Sequence, residues 1–224
     1  MPKASTTVAA KAPRRTPPTR RAIENAYWTH VLENGSEPAS VFTFAKANGW
    51  EEEEFYAHFS TFRAIETSFW RRLAEETIHI LAKDPDAAGY DARRRLLAFH
   101  YTFFEGLLPH RSRLLARLPR RIESARTLSG LTDAFGKFAD TLIAQGRDEG
   151  AIAGPSRLDP LYRRALQLHL HWLLDYHRHD TSEKFENTDA LIEKSVRFFF
   201  DAARWSVVES AVDLARFLAP RLSR

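Results

Sequence analysis

Residues 35–59, GSEPASVFTFAKANGWEEEEFYAHF, decide the fold. Ser40 is a natural N-cap for a short helix over about 40–47, because its hydroxyl can accept from the free amides of a first turn. Asn48-Gly49 stops that helix, since glycine enters the left-handed region without strain. A second short helix follows over about 51–58. Phe44, Ala45, Phe55 and Phe59 are spaced to lie between the two, so the glycine turn lets the helices cross while the second presents its other face outward.

Working outward, the helical period continues in both directions, with Gly and Pro as punctuation. Upstream, Ile23, Tyr27 and Val31 form one stripe of a helix over about 21–33, closed by Asn34-Gly35. Downstream, a helix capped near Ser60 carries Phe62, Ile65, Phe69, Leu73 and Ile80 as far as Lys83, and Asp84-Pro85 ends it. The next, over about 91–108, is apolar nearly all round from Leu96 onward, which means burial on several sides. Further helices are expected over about 110–118, 132–145, 159–178 and 188–218. With no strand-like alternation, the expected fold is all-α with about nine helices. The last helix has two apolar stripes, one through Ile192, Val196 and Phe199 and one through Phe198, Ala202 and Trp205. Two stripes on one helix call for two partners, the chain's own core and a second subunit.

Composition narrows the function classes. The 224 residues include no cysteine, which excludes disulfides, thiolate nucleophiles and Cys-ligated metal, and fits a reducing, cytoplasmic setting. No apolar run approaches the roughly 20 residues needed to span a bilayer. Residues 1–21 hold six basic side chains and no acid, more than the whole chain's net charge of +4, so the remainder is slightly acidic. That Pro-, Thr- and Ala-rich leader has the composition of a disordered tail over residues 1–19, able either to track phosphates or simply to aid solubility.

The stretch quoted above resembles the TetR family of regulators. Gly35, Ser40, Phe44-Ala45, Gly49 and Tyr56-Ala57-His58-Phe59 fall on that family's helix-turn-helix pattern without a gap. The resemblance extends more loosely over the whole chain. It implies a helix-turn-helix domain at about 20–66 and a ligand-binding and dimerisation domain at about 67–224. By that resemblance DNA-facing positions are Ser40, Trp50, Glu52, Glu53, Tyr56 and His58, with Ser40, Tyr56 and His58 at the backbone. The chain departs from the pattern in three places. The recognition helix opens with Glu51-Glu52-Glu53-Glu54, the valine after the turn glycine is Trp50, and the lysine opening the fourth helix is Phe62. Acids in a first turn offset the helix dipole, which is their ordinary use, yet four carboxylates also oppose a polyanion.

Elsewhere, His100, Tyr101, Phe103, Phe104, Trp172, Tyr176 and Phe199 are candidates to line an apolar pocket for a small hydrophobic molecule; the other reading is ordinary core aromatics. His171, Asp175 and His179 stand four apart and could line one helical face for a metal, but a helix end favours such residues for its dipole, and no metal or cofactor is expected. No phosphate loop, nucleophile elbow or His-Glu-x-x-His motif appears, so catalysis is not expected. Two readings remain open: a homodimeric, ligand-responsive regulator of operator DNA, and a protein of the same fold that has lost DNA binding. The second would bind a lipid or other hydrophobic molecule and resemble the lipid-binding helpers of ubiquinone biosynthesis.

Overall fold

In a computed structural model of the protein the described residues are 16–118 and 126–205. Nine α-helices and no strand occur among them. Most of the basic tail and the stretch beyond residue 205 of the expected last helix lie outside the described residues. By contacts the chain divides into two compact units, 1–62 and 63–224.

In the first unit, α1 (Arg20–Asn34), α2 (Val41–Ala47) and α3 (Glu52–Tyr56) pack around Ile23, Tyr27, Trp28, Val31, Phe44, Ala45, Phe55 and Phe59, all buried. Thr19 caps α1 by accepting from the Ala22 amide at 3.2 Å. Gly35, at φ 71°, ends α1 and returns its N–H to the Val31 carbonyl at 2.9 Å. Ser40 forms a reciprocal capping box with Thr43, its hydroxyl accepting from the Thr43 amide at 3.1 Å. Gly49, at φ 69°, makes the turn, and Trp50 N–H then reaches back to Ala45 at 2.9 Å. Phe62 stacks on Tyr27, 5.4 Å between centroids, and meets Phe44 and Phe55 edge-on. An apolar ring at this position therefore completes the core of the small unit.

The second unit holds α4 (Phe62–Lys83), α5 (Ala92–Leu107), α6 (Arg111–Arg117), α7 (Ser129–Asp148), α8 (Asp159–His179) and α9 (Glu186–Arg204). Helix α5 is central, packed against both α7 and α9, and α7 and α9 each pack on α8. Its near-continuous apolar sequence explains this: Leu96, Phe99, His100, Phe103, Phe104 and Leu107 are all buried. Phe99 anchors the cluster, 4.8 Å from Phe135, 4.9 Å from Phe138 and 5.8 Å from Phe103. Each such ring contributes about 1.5–3 kcal/mol relative to leaving it in water. Helix α7 crosses α4 closely at Gly130, where a Cβ would lie 2.2 Å from the Thr67 carbonyl oxygen. The buried Glu66 of α4 is ion-paired with Arg117 of α6.

Between α8 and α9 the chain turns through two consecutive non-glycine residues of positive φ, Lys184 at 51° and Phe185 at 61°. Such backbone costs about 1–2 kcal/mol per residue. The turn is held by Arg111, which lies 4.2 Å over the Phe185 ring and donates to the carbonyls of His177 at 2.9 Å and Asp180 at 3.1 Å. Asp180 accepts from the amide and hydroxyl of Ser182 and from those of Thr188, at 2.6–2.9 Å. Burial raises the pKa of this carboxyl, but those four bonds outweigh it and hold it at about 2.

Candidate functional site

The candidate DNA-facing residues lie in and next to α2 and α3, with different freedom. Ser40 is exposed but committed to its capping box. Trp50 is half-buried and meets Phe44 edge-on at 5.9 Å, so its ring is largely part of the packing. Glu53 is exposed; Glu52 is half-buried and accepts a long bond from the Tyr56 hydroxyl at 3.4 Å. Tyr56 is 51% exposed. Its phenol pKa is raised by desolvation and then by the Glu52 charge, so it stays protonated and able to donate to an anion. His58 is half-buried, and its Nε2 lies 3.1 Å from the Pro18 carbonyl, which can only accept, so this nitrogen carries a proton and is in use. Residues 16–62 carry seven acidic and three basic side chains. Within residues 16–62 the positive charge available for phosphate is therefore limited to Arg20, Arg21 and Lys46.

The candidate pocket residues do not form one set. His100, Phe103 and Phe104 are buried along the inner face of α5, whereas Tyr101, Trp172 and Tyr176 are 38–47% exposed and Phe199 is half-buried. Tyr101 and Phe104 share a cavity of about 240 Å³ at the end of α5, beside the α8–α9 turn. The buried His100 has no hydrogen-bond partner on either ring nitrogen and lies 5.2 Å from the His169 ring. Burial, then the second histidine, push its pKa well below the ordinary value. The row His171, Asp175 and His179 is divided among separate partners: Thr132 for His171, Arg178 for Asp175, and the Asp175 carbonyl for His179.

The α8–α9 corner is built by His177, Asp180, Phe185 and Arg111, none of which is a candidate site residue by sequence. His177 sits on the buried face of α8 with Leu170, Leu173 and Leu174, one step off the histidine row. Asp180-Thr181-Ser182 was the available signal, since an Asp two residues before a Ser often closes a local turn.

A capped helix-turn-helix module and a larger helical unit built around a central helix are together the architecture of a one-component regulator. Residues 95–218 match the tetracyclin repressor-like C-terminal domain, and the chain belongs to this tetracyclin repressor-like (TetR) family. No curated protein matches the chain. Among solved structures it is similar to the fatty acid degradation regulator FadR from Bacillus halodurans, with a TM-score of 0.58 and 16% identity over 85% of this chain and 99% of that one. At that identity the likeness is one of fold. No helix among the described residues is long and apolar enough to cross a membrane.

Proposed function

We propose that the protein is a homodimeric, ligand-responsive DNA-binding regulator. The observation that carries this reading is the capped, tightly packed helix-turn-helix of residues 16–62 on a chain whose residues 95–218 match the tetracyclin repressor-like C-terminal domain. Each subunit would present α3 to one half-site, and a small hydrophobic molecule held in the C-terminal domain would alter the spacing of the two modules and hence operator affinity.

Homodimerisation is supported by an uncovered apolar stripe on α8 and α9. Leu161, Leu168, Trp172 and Tyr176 stand seven, four and four residues apart on α8, each 38–47% exposed, while Phe198 of α9 and Trp205 at its C-cap are 74% and 79% exposed. A patch of large apolar side chains like this is unusual on a monomer and suits a self-complementary interface of two helices from each subunit. On this reading Trp172 and Tyr176 belong to the interface and leave the pocket.

A second reading has its own observation: the acidic opening of α3, the acid excess of residues 16–62 and the engaged Nε2 of His58 all subtract from phosphate attraction. They favour a protein of this fold that has lost operator binding and kept a site for a lipid or other hydrophobic molecule. Selection of genomic fragments at about 0.15 M salt separates the two, because non-specific binding is mostly screened there. Recovery of a recurrent palindromic fragment supports the regulator; recovery of random sequence contradicts it.

A further inference from the structure

The α8–α9 turn and the end of α5 line the open cavity of about 240 Å³, and its most unusual wall is His177. The protonation of this ring follows from its neighbours. Thr188 Oγ1 lies 2.6 Å from Asp180 Oδ2, and a carboxylate only accepts, so the hydroxyl proton is committed to Asp180. The contact of 3.2 Å between Thr188 Oγ1 and His177 Nδ1 then requires Nδ1 to donate. Nδ1 carries the ring proton and Nε2 is left as a bare acceptor. That Nε2 is buried and has no hydrogen-bond partner, on a side chain only 1% exposed. Burial and the Arg111 charge lower the His177 pKa to about 4, so the ring is neutral at pH 7.

The rest of the wall sets the kind of guest. The rings of Phe104 and Phe185 flank His177 at 5.0 and 4.9 Å, and Tyr101 adds a third aromatic face. Glu105 and Asp189 at the wall, with Asp180 behind it, outnumber Lys184 and Arg111, which disfavours an anion. The volume holds roughly eight water-sized groups, enough for one substituted ring. Phe185 packs on the His177 ring and sits on the left-handed turn, so a guest that reaches Nε2 has to displace the Phe185 ring.

We propose that this corner binds a small flat molecule, neutral or cationic, that donates a hydrogen bond to His177 Nε2: an aryl alcohol or aryl amine. The inference names an effector class for the regulator reading. It rests on that reading only for its effect on DNA, since binding itself is read on the protein alone.

Full-length protein labelled with 15N-histidine is titrated with phenol and tyramine as donors, and with toluene and benzoate as ring compounds lacking a donor. Phenol and tyramine are expected to bind about tenfold or more tighter than toluene, because only they satisfy the buried acceptor. Both are expected to move the His177 Nε2 resonance while leaving Nδ1 protonated. Benzoate, being anionic, is expected to bind more weakly than phenol. The variant His177→Asn can place its amide N–H toward Thr188 and leaves no acceptor at the position of Nε2, so phenol should fall to the affinity of toluene. If that variant does not fold, the resonance of the unaltered protein decides. Toluene binding as well as phenol, benzoate binding best, saturation without a change at His177, or no binding by either donor would each overturn the proposal. None of those outcomes touches the regulator reading, which fails separately, if no specific DNA is selected.

Discussion

The guanidinium of Arg20 donates to the backbone carbonyl of His58 at 3.0 Å and lies 4.1 Å from the ring centre of Phe59. With the His58–Pro18 bond, the start of α1 and the residue before its cap hold the segment that follows α3. The orientation of the outward helix therefore depends on residues 38–40 positions earlier in the chain.

Arg20→Ala removes the carbonyl contact and the cover over Phe59 and should cost about 1–2 kcal/mol in a urea titration of the small unit's aromatic fluorescence. Arg20→Lys keeps the charge but loses the planar stacking, and should fall between the two. An unchanged midpoint for Arg20→Ala would show that these contacts do not hold the segment that follows α3.

Acid should weaken the second unit at a pH where carboxylates are still ionised. Burial holds the pKa of His169, His171 and His177 at about 4, against 6.5 for an ordinary histidine. Between those values the unfolded chain binds more protons than the folded one, so stability falls as pH drops from 7 toward 4. By pH 5 the loss should be on the order of 1 kcal/mol or more per histidine. Asp180 acts outside this window: its lowered pKa contributes stability that is lost only as pH falls from about 4 through about 2. Thermal melts at pH 7 and pH 5 check this, and equal melting temperatures would contradict buried neutral histidines.

The exposed stripe of α8 and α9 predicts the particle mass. At micromolar concentration light scattering should give about twice the 25.7 kDa chain mass. Placing a charge at the centre of the stripe, Trp172→Glu, should give a monomer of unchanged helical content, because an unpaired buried carboxylate outweighs the rest of such an interface. A monomer for the unaltered protein, or a dimer indifferent to Trp172→Glu, would remove the interface from α8.

Much of the fold was legible because helix ends were written in cap chemistry: Ser40, Gly35, Gly49 and Asp91 all act at or beside helix ends. The start of α7 was not. Thr132 reads as an opening residue, yet it lies inside the helix with its hydroxyl bonded back to the Leu128 carbonyl at 2.9 Å, and α7 begins at Ser129. The candidate pocket suffered from a related ambiguity. Aromatic content singled out Tyr101 and Trp172, but neighbours on a helix point about 100° apart, and each of these exposed rings sits beside a buried histidine, His100 and His171. The α8–α9 corner was only partly legible. Asp180 before Ser182 signals a local turn, but the two left-handed residues that follow are Lys and Phe, which carry no turn signal and are held by the Arg111 contacts.

The regulator reading is tested most directly by a salt titration of DNA binding. Full-length protein and a form lacking residues 1–19 are compared on random duplex and on a genomic fragment library. The account predicts a sequence-specific complex that survives about 0.15 M salt, and a truncated form that binds the same sequence more weakly with a shallower salt slope, because each lost phosphate contact removes close to one released counterion. Affinity that is equal for every sequence, vanishes with the tail and is erased by about 0.2 M salt would contradict it.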